Sequence, residues 1–395
     1  MHRRNRVNYE EDLAKCDLSK TGVKTTSIFN SIPGFHVTEN FCPDIMHDIL
    51  EGVAPLDIKI VLEHLFSQKI MTLEEINHRI AGFNYRHLSR DKPSPFSSKS
   101  LCKSDTLLSQ SASQTYCMVK SMTFIFGDKY ESNNPKWNLF LILLDILDII
   151  LSPCVSESTL PYLQSLIEDH HQLYRALTYR ALRPKHHHML HYPEAIRQIG
   201  PLLYFWTMRF EARHKFFKNV ARIGSNFKNI AKSVSNRNQL LLSYKFLLNT
   251  AFDQFEVHAT GKVHFTSIQL ERNIRTIFAE YFNLTSNYEL STYKTISVNG
   301  VSIKVKDVVL EIWLGDNEMP KFVEIEQIIE FNGQFNFLVF ELSTLHFSRH
   351  FHAFAIEITE NRKLVQIQNI DLLRPLLTHT NVNNEFLVSL PYMIS

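Results

Sequence analysis

At 395 residues, with 44% hydrophobic and 21% charged content, the chain is globular in composition and long enough for two or three domains. Eleven glycines against 29 phenylalanines exclude a Gly-rich nucleotide-binding or fibrous class. The net charge of +2 says nothing about partners, so the distribution of charge decides.

In chain order, residues 1–35 are polar and irregular. The run Phe35-His-Val-Thr has an extended character and ends at Pro43, just before Asp44. Residues 45–65 have helical apolar spacing (Ile49, Val53, Leu56, Ile60), with Gly52 and Pro55 predicted to break the helix in two. Residues 88–113, rich in Ser and Lys, are predicted to be an exposed loop. A helical block follows over about 114–182, including residues 137–151 and 160–182. Asp145 and Asp148 lie one turn apart there and read either as metal ligands or, more simply, as the polar edge of a buried helix. Pro184 and Pro193 bracket the short helical run Lys185-His-His-His-Met-Leu-His191. Helices are then predicted over 205–223, with Gly224 as a stop, and over 227–252. Beyond residue 290 the texture is β. Asn299-Gly300 and Asn332-Gly333 mark two hairpins, and residues 351–358 and 364–367 read as two further strands, giving an antiparallel sheet or barrel of five or six strands.

Charge is concentrated in one place. Residues 183–237 hold eleven Lys/Arg against two acids, Glu194 and Glu211, whereas residues 251–395 hold eleven basic and seventeen acidic residues. A basic segment in an otherwise acidic chain is the footprint of a polyanion binder, with a solvated helix lacking any ligand as the alternative. On a 3.6-residue period Glu211, Lys215, Lys218 and Arg222 share one helix face, while Phe210, His214, Phe217 and Ala221 share another. A carboxylate heading a cationic stripe suits Mg²⁺ and phosphodiester chemistry, but it equally suits a surface Glu–Lys pair worth about 0.2–0.5 kcal/mol. Asp44, at the head of a helix, can cap it or offer an oxygen to a metal, and His47 one turn on can orient that carboxylate or contact phosphate. Five scattered cysteines (Cys16, Cys42, Cys102, Cys117, Cys154) without CxxC spacing read as reduced thiols of an intracellular protein. The most apolar run, 139–151, is too short for a membrane span. The Met1-His-Arg-Arg-Asn-Arg start favours a nuclear location, with the cytoplasm as the alternative.

Three strings carry a resemblance: Cys42-Pro-Asp-Ile-Met-His-Asp-Ile-Leu-Glu-Gly52, Pro184-Lys-His-His-His-Met-Leu-His-Tyr-Pro193, and Met208-Arg-Phe-Glu-Ala-Arg-His-Lys-Phe-Phe-Lys218, joined by Asn226-Phe-Lys-Asn-Ile230. Together they resemble CACTA-type transposases, and more narrowly the animal transposase-derived proteins of that superfamily. The resemblance implies an α+β chain: a partial ribonuclease-H-like core with a helical insertion, followed by a small antiparallel β-rich domain. The implied parts are 1–54, a core remnant carrying the second acid; 55–190, the insertion; 191–252, the third-acid helix and basic segment; and 253–395, the β-rich domain.

In such a core three acids hold two divalent metals. Asp44, with His47, matches the second acid and Glu211 the third. The first acid and the opening three strands have no match, since Asp12 and Asp17 lack a strand-like context. The expected function is therefore that of a transposon-derived DNA-binding protein without catalysis. Its DNA contacts are expected from Arg209, Arg213, Lys215, Lys218, Arg222 and Lys228, self-association is a further expectation, and neither a membrane nor a small-molecule substrate is expected. One alternative is an Mg²⁺- or Mn²⁺-dependent nuclease or strand transferase using Asp44 and Glu211, with an acid from Asp12, Asp17, Asp48, an upstream exon or a second chain. Another is a protein-interaction scaffold acting through its acidic tail. Zinc at His187, His188 and His191, with Cys42 or His47 completing the set, is weighed against a structural or phosphate-contacting role.

Overall fold

The computed structural model describes residues 4–40, 42–102, 108–225, 228–248, 257–285, 287–313 and 319–392. It is a mixed α+β architecture: a helical half followed by antiparallel sheets. The helical half contains α1 (Arg6–Lys15), α2 (Leu18–Thr21), a π-helical turn (Met46–Val53) running directly into α3 (Ala54–Ser67), α4 (Leu73–Gly82), α5 (Ser98–Cys102), α6 (Ala112–Phe126), α7 (Pro135–Ile150), α8 (Leu160–Thr178), α9 (Pro184–Met189), α10 (Tyr192–Ile199), α11 (Met208–Gly224) and α12 (Ile230–Leu247). The C-terminal half contains β1 (Val257–Thr260), β2 (Val263–Thr266), α13 (Arg272–Phe282), β3 (Glu289–Tyr293), β4 (Thr295–Val298), β5 (Val301–Lys304), β6 (Val308–Ile312), β7 (Lys321–Phe331), β8 (Gln334–Ser348), β9 (Ala353–Gln366), β10 (Leu377–Thr380) and β11 (Phe386–Ser389).

Helix α7 is apolar around most of its circumference, so it sits at the centre of the bundle, with Trp137, Phe140, Leu143 and Leu147 fully buried. Around it pack the π turn with α3, then α6 and α8, forming one continuous apolar core. The N-termini are set locally. Thr72 with Glu75, and Ser111 with Gln114, form reciprocal capping boxes, and Asn134 caps α7 with Pro135 behind it.

Several expectations change. Phe35-His-Val-Thr is a turn rather than an extended run, because its polar groups satisfy one another locally: His36 Nδ1 lies 2.7 Å from Thr38 Oγ1, and the His36 amide donates to Asn40 Oδ1 at 2.7 Å. Among the described residues no strand precedes Val257, so the expected core remnant at 1–54 contributes helix and turn only. Gly52 and Pro55 do not break the helix. The π turn changes hydrogen-bond register just where Pro55 withholds its N–H, and the rod continues to Ser67. The expected loop at 88–113 is pinned by buried Phe96, Leu101 and Leu108, while residues 103–107 of it lie outside the described residues.

The β half is larger than the sequence suggests. Eleven strands are described, in a three-stranded sheet β1–β4–β5 and an eight-stranded sheet ordered β10–β11–β9–β8–β7–β3–β2, with β6 also on β7. Both Asn-Gly hairpins are present, joining β4 to β5 and β7 to β8. The stretches 351–358 and 364–367, read as two strands, are instead one continuous strand β9 over Ala353–Gln366, with residues 351 and 352 in the preceding turn and Ile367 in a 3-10 turn after it; β9 follows β8 through two irregularities in register. The small sheet stacks Ile296, Val298 and Ile303 on Val323, Phe337 and Val365 of the large one.

The turn between β8 and β9 docks on the helical bundle. The Trp137 indole N–H donates to the His350 carbonyl at 3.1 Å, and His350 Nε2–H donates to the Gly127 carbonyl at 2.8 Å. Phe351 lies so close to Gly127 that a Cβ there would be 2.6 Å from its ring. Asp145 pairs with Arg349. Asp148 takes Lys120 Nζ at 3.0 Å and His352 Nε2 at 3.0 Å. The two α7 acids are thus the polar edge that anchors this turn.

Candidate nucleic-acid interface

The π turn places Asp44, His47, Asp48 and Glu51 around the start of α11. Asp44 Oδ1 accepts the Thr207 amide at 2.9 Å and the Met46 amide at 3.2 Å, and Oδ2 accepts the Thr207 hydroxyl at 2.5 Å and the His47 Nδ1–H. His47 then presents Nε2 at 3.7 Å from Glu211 Oε1 and 3.8 Å from Glu51 Oε2. The three sequence-predicted site residues, Asp44, His47 and Glu211, are therefore brought together across more than 160 positions, with the imidazole between the two carboxylates.

Burial of Asp44 pushes its carboxyl up, but the hydrogen bonds from Thr207 and His47 outweigh this and hold it below its ordinary value. The bond to Asp44 raises the His47 imidazole, against a smaller effect of burial. Cys42 nearby is pushed up to about 11 by burial and by the Asp44 and Asp48 charges, so it is a thiol and not a thiolate.

These residues do not fit a two-metal centre. Both Asp44 oxygens are occupied by protein donors, and a histidine that donates to one acid fills the space before the other. Among the described residues no three His, Cys, Asp or Glu side chains are placed to share a metal ion. The histidine run divides likewise. His188 Nδ1 binds Asp48 at 2.7 Å, His187 and His191 face each other with Nε2 atoms 3.3 Å apart, and His186 is buried, accepting the Arg183 amide at 3.2 Å. His187, His188 and His191 do not converge on one centre.

Two positioning residues escape a sequence reading. Thr207 joins α11 to Asp44. Lys185 Nζ donates to the carbonyls of His47 at 2.6 Å and Glu51 at 3.1 Å, the latter being the acceptor that Pro55 cannot serve. A third unforeseen feature is the buried pair Asp57–His170, 2.7 Å apart with both side chains inaccessible; burial raises the Asp57 carboxyl. Nothing in sequence spacing joins residues 57 and 170.

Helices α11 and α12 form a hairpin in which no side chain is buried. Arg213 Nη2 donates to Asn238 Oδ1 at 3.1 Å, and the Arg213 guanidinium lies 4.5 Å over the Phe216 ring. Phe216, Phe217, Val220 and Ala221 of α11 and Val234, Asn238 and Leu241 of α12 are half-buried. The predicted stripe of Glu211, Lys215, Lys218 and Arg222 is exposed, as are Arg209 and Lys228. Eight Lys/Arg and one acid, Glu211, lie on these two helices. Among the described residues no helix is long and apolar enough to cross a membrane. No protein-family model matches the chain, and no curated protein matches it.

Proposed function

We propose that the chain is a transposon-derived DNA-binding protein in which the acids of a degenerate ribonuclease-H-like site have become structural. The observation that carries this reading is the α11–α12 hairpin, an exposed element with eight cations, one acid and no buried side chain. A helix pair this basic holds its charges apart only at an electrostatic cost, which a polyanion offsets by releasing condensed counterions. The meeting of Asp44 with Glu211 is what a former metal site would leave behind. The bonds from Thr207 and His47 have turned Asp44 into the cap that docks α11, so the cationic stripe is held at a fixed angle to the bundle. We infer a nuclear location from the proposed DNA partner.

The test is DNA affinity measured across a salt series. Log affinity should fall linearly with log salt, and Lys215→Ala, Lys218→Ala and Arg222→Ala combined should reduce the slope by roughly 2 to 3. Binding that ignores salt would sink the reading. Incubation of plasmid DNA with Mn²⁺ supplies the second arm. Cleavage that disappears in Glu211→Ala would establish the nuclease alternative in its place.

A further inference from the structure

The hairpin is not only basic. Phe210 is 63% exposed and Tyr244 60%, and Tyr204 and Phe205 just ahead of α11 are exposed as well. Aromatic rings left in water next to cations are unusual for an interface that reads a duplex, whose accessible surface is phosphate and base edge. Stacked base pairs offer no free π-face to receive such rings. Single strands do, and their binding sites combine a cationic track for the backbone with aromatic platforms for the bases.

The register of the hairpin sorts the two kinds of side chain. The Arg213–Asn238 bond fixes which residues lie opposite one another, and the Arg237 guanidinium reaches Gly224 near the turn. Phe210 therefore lies at the same end as Tyr244, whereas Lys218, Arg222 and Lys232 run towards the turn. We propose, building on the DNA-binding reading above, that this hairpin takes single-stranded nucleic acid in preference to duplex. The backbone follows Lys215, Lys218 and Arg222, and unpaired bases stack at the Phe210–Tyr244 end. Charge complementarity singles out this occupant, because an apolar protein surface would cover the rings and offer no counter-charge to Lys215, Lys218 and Arg222.

Fluorescence anisotropy of the full chain, with one labelled mixed-sequence oligodeoxynucleotide used alone and annealed to its complement, decides the matter. The single strand should bind at least about ten-fold more tightly. Phe210→Ala with Tyr244→Ala should weaken single-strand binding by about ten-fold or more while leaving duplex binding unchanged, and Tyr244→Trp should keep it. Both positions are exposed, so the fold is spared, and unchanged circular dichroism verifies that. Equal or tighter duplex binding with a normal salt slope overturns the preference and leaves DNA binding standing. Absence of salt-dependent binding to either form overturns both.

Discussion

Gly52 is where the geometry around Asp44 is least tolerant of change. A methyl group there would lie 2.4 Å from Lys185 Cδ and 3.1 Å from the His47 carbonyl oxygen. The second approach is tight; the first forces Lys185 away. With it go the donations from Nζ to His47 O and Glu51 O. Hydrogen bonds from a charged donor contribute about 1.5–3 kcal/mol each, and less where, as here, the lysine is only half-buried and water can substitute. Alanine in place of glycine returns about 0.5–1 kcal/mol of helix preference. Gly52→Ala should therefore destabilise by about 1–3 kcal/mol. Lys185→Ala, which removes the same two bonds, should cost a similar amount. Once Lys185 is truncated the 2.4 Å contact is gone, while the tighter-than-usual approaches to the His47 carbonyl and to the Cβ of residue 185 remain, so Gly52→Ala on that background should be close to neutral. The double-mutant cycle thus predicts a coupling of about 2 kcal/mol. Urea unfolding followed by far-ultraviolet circular dichroism measures it. If Gly52→Ala costs the same on both backgrounds, Lys185 is not what the glycine accommodates, and the account of the π turn fails.

The Asp44–His47 pair should make the docking of α11 pH-dependent. The raised imidazole contributes fully below its ordinary value of 6.5, and its contribution is lost as pH rises through the raised value. The lowered carboxyl contributes fully above its ordinary value of 3.8 and is lost as pH falls through the lowered one. Docking is firmest between these limits, and the imidazole titration followed by NMR should move back towards 6.5 in Asp44→Asn. In the buried pair, Asp57→Ala should cost about 3–5 kcal/mol by stranding His170, whereas apolar replacement of both should be nearly neutral; equal losses from the single and double replacements would contradict this. Asp148→Ala strands Lys120, whose side chain is 7% exposed, and leaves His352 with only the longer 3.9 Å approach to Asp145. It should cost about 3 kcal/mol and open the β8–β9 turn to limited proteolysis, where an unchanged cleavage pattern would count against the anchor.

What could be read from the sequence was what local pattern decides. The apolar repeat of α7, the start of α8, the Pro184 start of α9 and both Asn-Gly turns depend on residues close in the chain, and each lies where its pattern placed it, although α8 ends at Thr178 and not at 182. Errors arose where a distant residue altered a local rule. Pro55 is accommodated where the π turn changes register, and the Glu51 carbonyl that its missing N–H leaves open is served by Lys185 from 134 positions away. The polar stretch inside β9 reads as a break, yet Lys363 binds Glu341 of the adjacent β8 and Glu311 of β6 at 2.8 Å, and Arg362 binds Glu326 at 2.9 Å, so the strand continues through it.

The site shows the same division at closer range. That Asp44 caps something, and that Glu211 heads a cationic helix, follows from short-range pattern. That Asp44 caps the very helix carrying Glu211, through Thr207, does not. This link bears on function more than either residue alone. A carboxylate with open lone pairs beside Glu211 would invite a cation. One saturated by an amide, a hydroxyl and an imidazole instead gives α11 a rigid foot. From that foot the hairpin presents its lysines and exposed rings, the surface on which the proposed recognition of a charged strand rests.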